Sequence, residues 1–245
     1  MIWWQVLLLL GGGAFAGVIN TIAGGGSTLT VPLLVLAGVP GNSANGSNRV
    51  GVLAQNATSA ASFKRLGVDG LVHAIPVLAP VVAGSLTGSF LISRLTDDVF
   101  ETVFGLLMVP IIILSVLKPK FDAEGDAWSR PVTYAVFFGI GCYGGAIQAG
   151  VGLVLLAALT RAGFDLVTAN SIKVLVIFSV TAVALPVFVV QGKVDWLPAL
   201  TLAVGFSAGG WVGAHLAVRG GERIIRVVMV MAALVLAAKL LGAFG

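Results

Sequence analysis

Long apolar runs separated by short polar breaks organise the whole chain. The runs fall at 3–23, 27–39, 43–63, 71–92 and 99–117 and, after a polar stretch at 118–130, at 131–149, 150–162, 167–190, 196–217 and 224–243. Most are close to the roughly 20 residues with which an α-helix crosses a bilayer. None shows the strict apolar–polar alternation of a transmembrane barrel strand. The second run of each set of five has only 13 residues. At about 1.5 Å per residue it reaches about 20 Å, short of the roughly 30 Å hydrocarbon core. The pattern therefore predicts an all-α polytopic membrane protein in which each half opens with a short helical hairpin broken at glycine.

The two halves repeat. An offset of 125 carries Asn45 to Asn170, Gly38 to Gly163, Gly67 to Gly192, Gly84 to Gly209 and Gly88 to Gly213. The chain divides into a first transmembrane repeat at 1–117, a linker at 118–130 and a second repeat at 131–245. Basic residues then discriminate between topologies, because Lys and Arg accumulate in cytoplasmic loops. If each repeat crosses an odd number of times, Lys64, Arg65, Lys118, Lys120, Arg130, Arg161, Arg219, Arg223 and Arg226 share one side, against Arg94, Lys193 and Lys239 on the other. That split, 9 to 3, falls to 7 to 5 if each repeat crosses four times. The odd case predicts two inverted repeats of about five helical segments each, a cytoplasmic linker and periplasmic termini.

Composition agrees with the pattern. Of 245 residues, 58% are hydrophobic and 10% charged, with mean hydropathy +1.06. That charged fraction is well below the roughly 25% of soluble domains. The 33 glycines suit close helix packing and broken helices. A lone cysteine, Cys142, excludes an internal disulfide. The net charge of +4 lies in short loops between spans, so it signals no nucleic-acid partner. No basic residue precedes the first apolar run, so a cleaved signal peptide is not expected.

Two basic residues break the apolar pattern inside predicted spans. Arg49 stands in ANGSNRVGVLAQN (44–56) and Lys173 in ANSIKV (169–174), at nearly equivalent places in the two halves, with Asn48 at the strict 125 offset from Lys173. A charge at membrane depth is costly unless it meets water or a partner, and no span centre carries Asp or Glu. A guanidinium and an ammonium at the midplane suit a small oxyanion; the plain alternative is a pair of snorkelling residues at helix ends. The amides Asn45, Asn48, Gln148 and Asn170 and the hydroxyls Ser47 and Ser171 surround these two in sequence, and either line a polar path or bind helices together. The hairpin tips carry Gly24, Gly25, Gly26 and Ser27 in the first half and Gly150 and Gly152 in the second. Glycine lets backbone N–H groups turn toward an anion at a helix N-terminus, or merely permits a tight turn. His73 and His215 have no second ligand at metal spacing, there is no phosphate-binding loop, and no nucleophile stands beside a base. The residues point to no cofactor, no metal and no enzymatic activity.

These stretches resemble the TauE/SafE family of sulfite and organosulfonate exporters. The resemblance rests on GVINTIAGGGSTLTVPLLVLAGVP (17–40), on ANGSNRVGVLAQN and on GKVDW (192–196), and it covers nearly the whole chain. The second half departs from the family pattern in GAIQAGVG (145–152), where Val151 stands in place of a third glycine. The resemblance implies a secondary transporter of a small sulfur-containing or related organic anion, working by alternating access and in the export direction, in the bacterial inner membrane. A passive anion channel, a transporter of non-sulfur organic acids and a membrane anchor for a partner enzyme are the competing readings. The expected partners are the anion and the lipid bilayer; coupling to protons or other ions and the oligomeric state are left open.

Overall fold

The computed structural model describes residues 1–116 and 129–240. Most of the polar linker expected at 118–130, and the end of the last apolar run, lie outside the described residues. Every regular element described is an α-helix: α1 (Trp3–Ala23), α2 (Ser27–Leu36), α3 (Gly41–Arg65), α4 (Leu71–Ile92), α5 (Asp97–Val116), α6 (Arg130–Ala146), α7 (Val151–Arg161), α8 (Leu166–Val190) and α9 (Trp196–Leu240). Among the described residues, four stretches are long and apolar enough to cross a membrane: Trp3–Ala23, Leu71–Ile92, Leu166–Val190 and Trp196–Gly221. The expected ninth and tenth segments meet without a loop, because α9 runs through a break at Gly221, where φ is 57° and ψ is −157°. Helix α3 starts two residues before the expected 43 and runs two past 63; Asn45, Ser47, Asn48 and Arg49 are buried within it, not at a helix end.

Helices α1 and α2 form the first hairpin. Gln5 Nε2 donates to Ala37 O at 3.0 Å, so the start of α1 stands beside the end of α2. The turn between them opens at Gly24, in the left-handed region with φ 84°. In the second half the turn between α6 and α7 uses two left-handed residues, Gln148 with φ 65° and Gly150 with φ 76°.

The halves interlock through glycine. On α9, Gly205 and Gly209 lie so close to Leu10 and Ala14 of α1 that an added Cβ would stand 2.2 and 2.0 Å from their carbonyl oxygens. On α4, Gly84 and Gly88 meet Phe138 and Cys142 of α6 in the same way, at 2.1 and 1.9 Å. The first helix of each half thus packs at backbone contact against the fourth segment of the other, as small residues allow where lipid offers no hydrophobic drive between helices.

Contacts at the helix ends give the running directions. Near the start of α3, Asn42 donates to Ile92 O and Leu95 O at the end of α4, and Ser47 pairs with Asp195 just before α9. Near the start of α8, Ser171 donates to Val68 O and accepts from Gly70 N, between the end of α3 and the start of α4. The starts of α3 and α8 are therefore on opposite sides of the bundle. The apolar interior holds Ile22, Val52, Leu155, Val176 and Phe206, while Leu7, Phe15, Val72, Leu91, Val190 and Leu197 point outward. Large outward apolar side chains on every long crossing fit a lipid surround.

Candidate functional site

The tips of the two hairpins touch. A Cβ on Gly24 would lie 2.4 Å from Gly152 Cα, and one on Gly152 equally close to Gly24 Cα. Gly26 packs on Asn20, and its N–H donates to Asn20 Oδ1 at 3.1 Å. Gly25 has nothing within 4 Å of its Cβ position. Asn48 ties the first tip to α3: its Nδ2 donates to Ser27 Oγ at 3.1 Å, and its Oδ1 accepts from Thr30 Oγ1 at 2.5 Å.

Arg49, on α3, is wholly buried. It reaches across to the C-terminal end of α6, where Nη1 donates to Gly144 O at 3.1 Å and Gln148 Oε1 at 3.2 Å. Nη2 donates to Gly145 O at 2.6 Å and Ala146 O at 2.9 Å. The guanidinium carbon also lies 4.4 Å from the ring centre of Phe188. A guanidinium has five N–H groups. Four are used here, and the fifth, on Nε, has no partner among the described residues. Gln148 is itself held by a 2.6 Å bond from its Nε2 to Thr181 Oγ1.

Lys173, on α8, is the counterpart. It too is wholly buried, and its Nζ donates to Asn20 O at 3.0 Å, Thr21 O at 2.7 Å and Asn170 Oδ1 at 2.5 Å. All three N–H groups of the ammonium are occupied. The correspondence is residue by residue: 124 positions separate Arg49 from Lys173, Asn20 from Gly144 and Thr21 from Gly145. Each cation caps the C-terminal carbonyls of the other half's first helix, where the helix dipole favours positive charge.

Of the other residues singled out in the sequence, Asn45 donates to Ala146 O at 2.9 Å and so joins Arg49 at the end of α6. Asn170 lies against Lys173. Both amides keep one buried atom without a partner, Asn45 Oδ1 and Asn170 Nδ2. Ser47 and Ser171 do not join this cluster; they hold the loops before α9 and α4. A cavity of about 230 Å³ opens beside Ser171, between Lys64 and Asp69. Thr21, Gln55 and Ser59 form a buried network that the sequence reading did not assign to the site: Gln55 Nε2 donates to Thr21 Oγ1 at 2.6 Å and Ser59 Oγ at 2.9 Å, and its Oε1 accepts from Asn20 Nδ2 at 2.7 Å. Among the described residues no cluster of His, Cys, Asp or Glu could hold a metal ion.

The arrangement places two buried cations, oriented amides and two donors with no partner among the described residues at the touching hairpin tips. The profile of the Sulfite exporter TauE/SafE family matches residues 9–240. The chain belongs to the TauE/SafE family. Similar proteins include the probable membrane transporter protein ORF9 of Sinorhizobium sp., 29% identical over 93% of this chain and 88% of that one. Another is the probable membrane transporter protein YfcA of Escherichia coli K12, 29% identical over 92% and 86%. A probable membrane transporter protein of Haemophilus influenzae is 26% identical over 93% and 91%. No solved structure matches the chain. This TauE/SafE protein is a membrane transporter, and its relatives are named as transporters, which are not enzymes.

Proposed function

We propose that this transporter carries a small sulfur-containing or related organic anion across the bacterial inner membrane as a secondary transporter with alternating access, outward when the anion accumulates inside. The observation that carries the reading is the pair of buried cations at the touching hairpin tips with no carboxylate among their partners, beside unused donors on Arg49 Nε and Asn170 Nδ2. Buried charge is retained at such depth where it serves a permeant ion. In this reading Arg49 Nε and Asn170 Nδ2 touch the anion, Asn45, Asn48 and Gln148 complete the polar wall, and the glycine tips at 24–26 and 150–152 let backbone approach it. Lys173 contributes field first and contact only after giving up a carbonyl. Ser47 and Ser171 brace the two halves.

The opposite running of α3 and α8 and the bias of basic residues support inverted repeats, with the Lys64–Arg65 end of α3 in the cytoplasm and the termini in the periplasm. Rocking of one repeat against the other about the tips would alternate access.

The test is ligand-dependent thermal stabilisation followed by counterflow in proteoliposomes, with sulfite, thiosulfate, sulfoacetate, sulfate and plain carboxylates. Binding to the native state alone raises stability. The expected result is a shift and saturable counterflow for a sulfur anion, both lost in Arg49→Ala. Flux that follows voltage without saturation would make the protein a channel. Wild-type counterflow that survives Arg49→Ala would move the site away from the tips.

A further inference from the structure

Arg49 and Lys173 hold equivalent helix ends with different chemistry. Arginine stays protonated in proteins, whereas a buried lysine can give up its proton. The titratable and charged groups on the helices around Lys173 are few. Helix α1 carries none. On α3, Arg49 is committed to α6, and Lys64 and Arg65 stand at the far end. His73 lies at the start of α4 with its ring edge-on to Phe164 at 5.0 Å, and Arg161 at the end of α7. On α9, His215 pairs through Nδ1 with Trp211 O, Arg219 follows before the break, and Glu222 and Arg223 lie beyond Gly221. Helices α3, α4, α7 and α8 contain no carboxylate at all. Asp69 and Asp165 stand before the starts of α4 and α8, and among the described residues the ammonium of Lys173 donates to two main-chain carbonyls of α1 and the Asn170 amide oxygen.

We propose that Lys173 is the proton-coupling residue of this transporter, and that its protonation state decides whether the tip of the first hairpin is latched to the second repeat. The inference rests on the anion-transport reading above. With Lys173 protonated and no anion beside it, three donated hydrogen bonds fasten Asn20 O and Thr21 O to α8, which is the arrangement seen. Release of one proton to water on the open side leaves a neutral amine with two N–H groups and a lone pair. One acceptor then loses its donor, and the charge that favours the C-terminal end of α1 is gone. An anion arriving beside the ammonium competes with the same carbonyls for its N–H groups. The anion is held only beside the charged ammonium, so the unprotonated, loaded state does not form, and the latch is loose in two states, unprotonated and empty, or protonated and loaded. A carrier that moves only in those two states takes proton and anion across together, in the direction set by their combined gradients. Arg49 cannot follow this cycle, so the second hairpin stays clamped and the first is the moving part.

The experiment measures proton uptake on anion binding by the full-length protein in weakly buffered detergent solution, with thiosulfate and sulfoacetate as probes because neither carries a titrating proton near neutrality. Proteoliposomes then report protons moved per anion. The expected result for the wild type is about one proton taken up per anion bound as the pH is raised toward the range where a buried lysine titrates. In Lys173→Arg, which keeps the charge but cannot release a proton, uptake per anion bound should fall by about tenfold or more, whatever the affinity. If Lys173→Arg does not reach the membrane folded, Lys173→Gln takes its place with the same readout. Wild-type binding without proton uptake, or uptake per anion unchanged in the variant, overturns the inference while leaving the transport reading standing. Failure of the wild type to bind either probe overturns the sulfur-anion reading and this inference with it.

Discussion

The contact between hairpin tips can be tested with a single methyl group. In Gly152→Ala the new Cβ would sit 2.4 Å from Gly24 Cα and 2.7 Å from Gly24 O. Both are main-chain atoms, so no rotamer change relieves the clash and the tips must separate. Overpacking of this kind costs about 1–3 kcal/mol. The residue lies in the first turn of α7, and the better helix propensity of alanine returns at most about 1 kcal/mol. The net expectation is a loss of roughly 1–2 kcal/mol, or about 2–8 °C in Tm for a chain of this size. Gly24→Ala should cost more, because φ at Gly24 is 84° and a left-handed alanine adds about 1–2 kcal/mol to the same clash. Gly25→Ala is the internal control. Its Cβ meets nothing within 4 Å and its φ is not positive, so the change should be neutral or stabilising by about 0.4–1 kcal/mol. Thermal unfolding of the purified protein in detergent reads all three. Gly152→Ala as stable as Gly25→Ala would refute the tip contact, and with it the placing of a site between the hairpins.

Four further outcomes follow from the same geometry. Arg49→Met strips donors from Gly144 O, Gly145 O and Gln148 Oε1 and should cost at least about 3 kcal/mol at roughly 1–3 per orphaned buried acceptor, with Arg49→Lys recovering only part; chemical unfolding in micelles measures both. Ser47→Ala and Ser171→Ala each free a backbone N–H, at Asp195 and Gly70, and should lose about 1 kcal/mol apiece and additively, which a double-mutant cycle checks. Asp165 caps α8; burial raises its pKa, but hydrogen bonds from Thr168 and Val167 outweigh this and hold it below the ordinary carboxylate value. Its stabilisation is therefore complete above the unfolded value of about 4 and fades as the pH falls through the lower folded value, so Asp165→Ala should cost about 1 kcal/mol at neutral pH and progressively less in acid. In a Cys142→Ser background, cysteine at Lys193, which faces Asp97 at 3.5 Å, should react with an impermeant maleimide in intact cells, and cysteine at Asp69 only after permeabilisation; the reverse pattern would invert the topology.

Much of this protein was written in the order of its residues. A chain too apolar to hide its surface in one core must sit in lipid, and runs of helical length with two short ones among them foretell crossings and hairpins. Of the glycines that recur at an offset of 125, Gly84, Gly88, Gly209 and Gly213 sit at close helix contacts, and Gly38, Gly67, Gly163 and Gly192 at left-handed turns, two places where glycine is favoured. That Arg49 and Lys173 stand where charge is expensive was equally plain. What they bind was not. Their partners are main-chain carbonyls at the ends of α6 and α1, about a hundred and fifty residues or fewer away, and every residue has such a carbonyl, so nothing in the letters marks these. Aligning the halves on Asn45 and Asn170 placed Asn48 opposite Lys173; the structure pairs Arg49 with Lys173, because each reaches the same two carbonyls at the end of the other half's first helix. Ser47 and Ser171 looked like substrate contacts from their neighbours in sequence, yet on a helix they face away from those neighbours and meet the loops of the opposite repeat. Sequence determined which charges and amides enter the membrane. Only the packing of one half against the other decided which helix ends those side chains reach, since a hydrogen bond is chosen by distance in space and not along the chain.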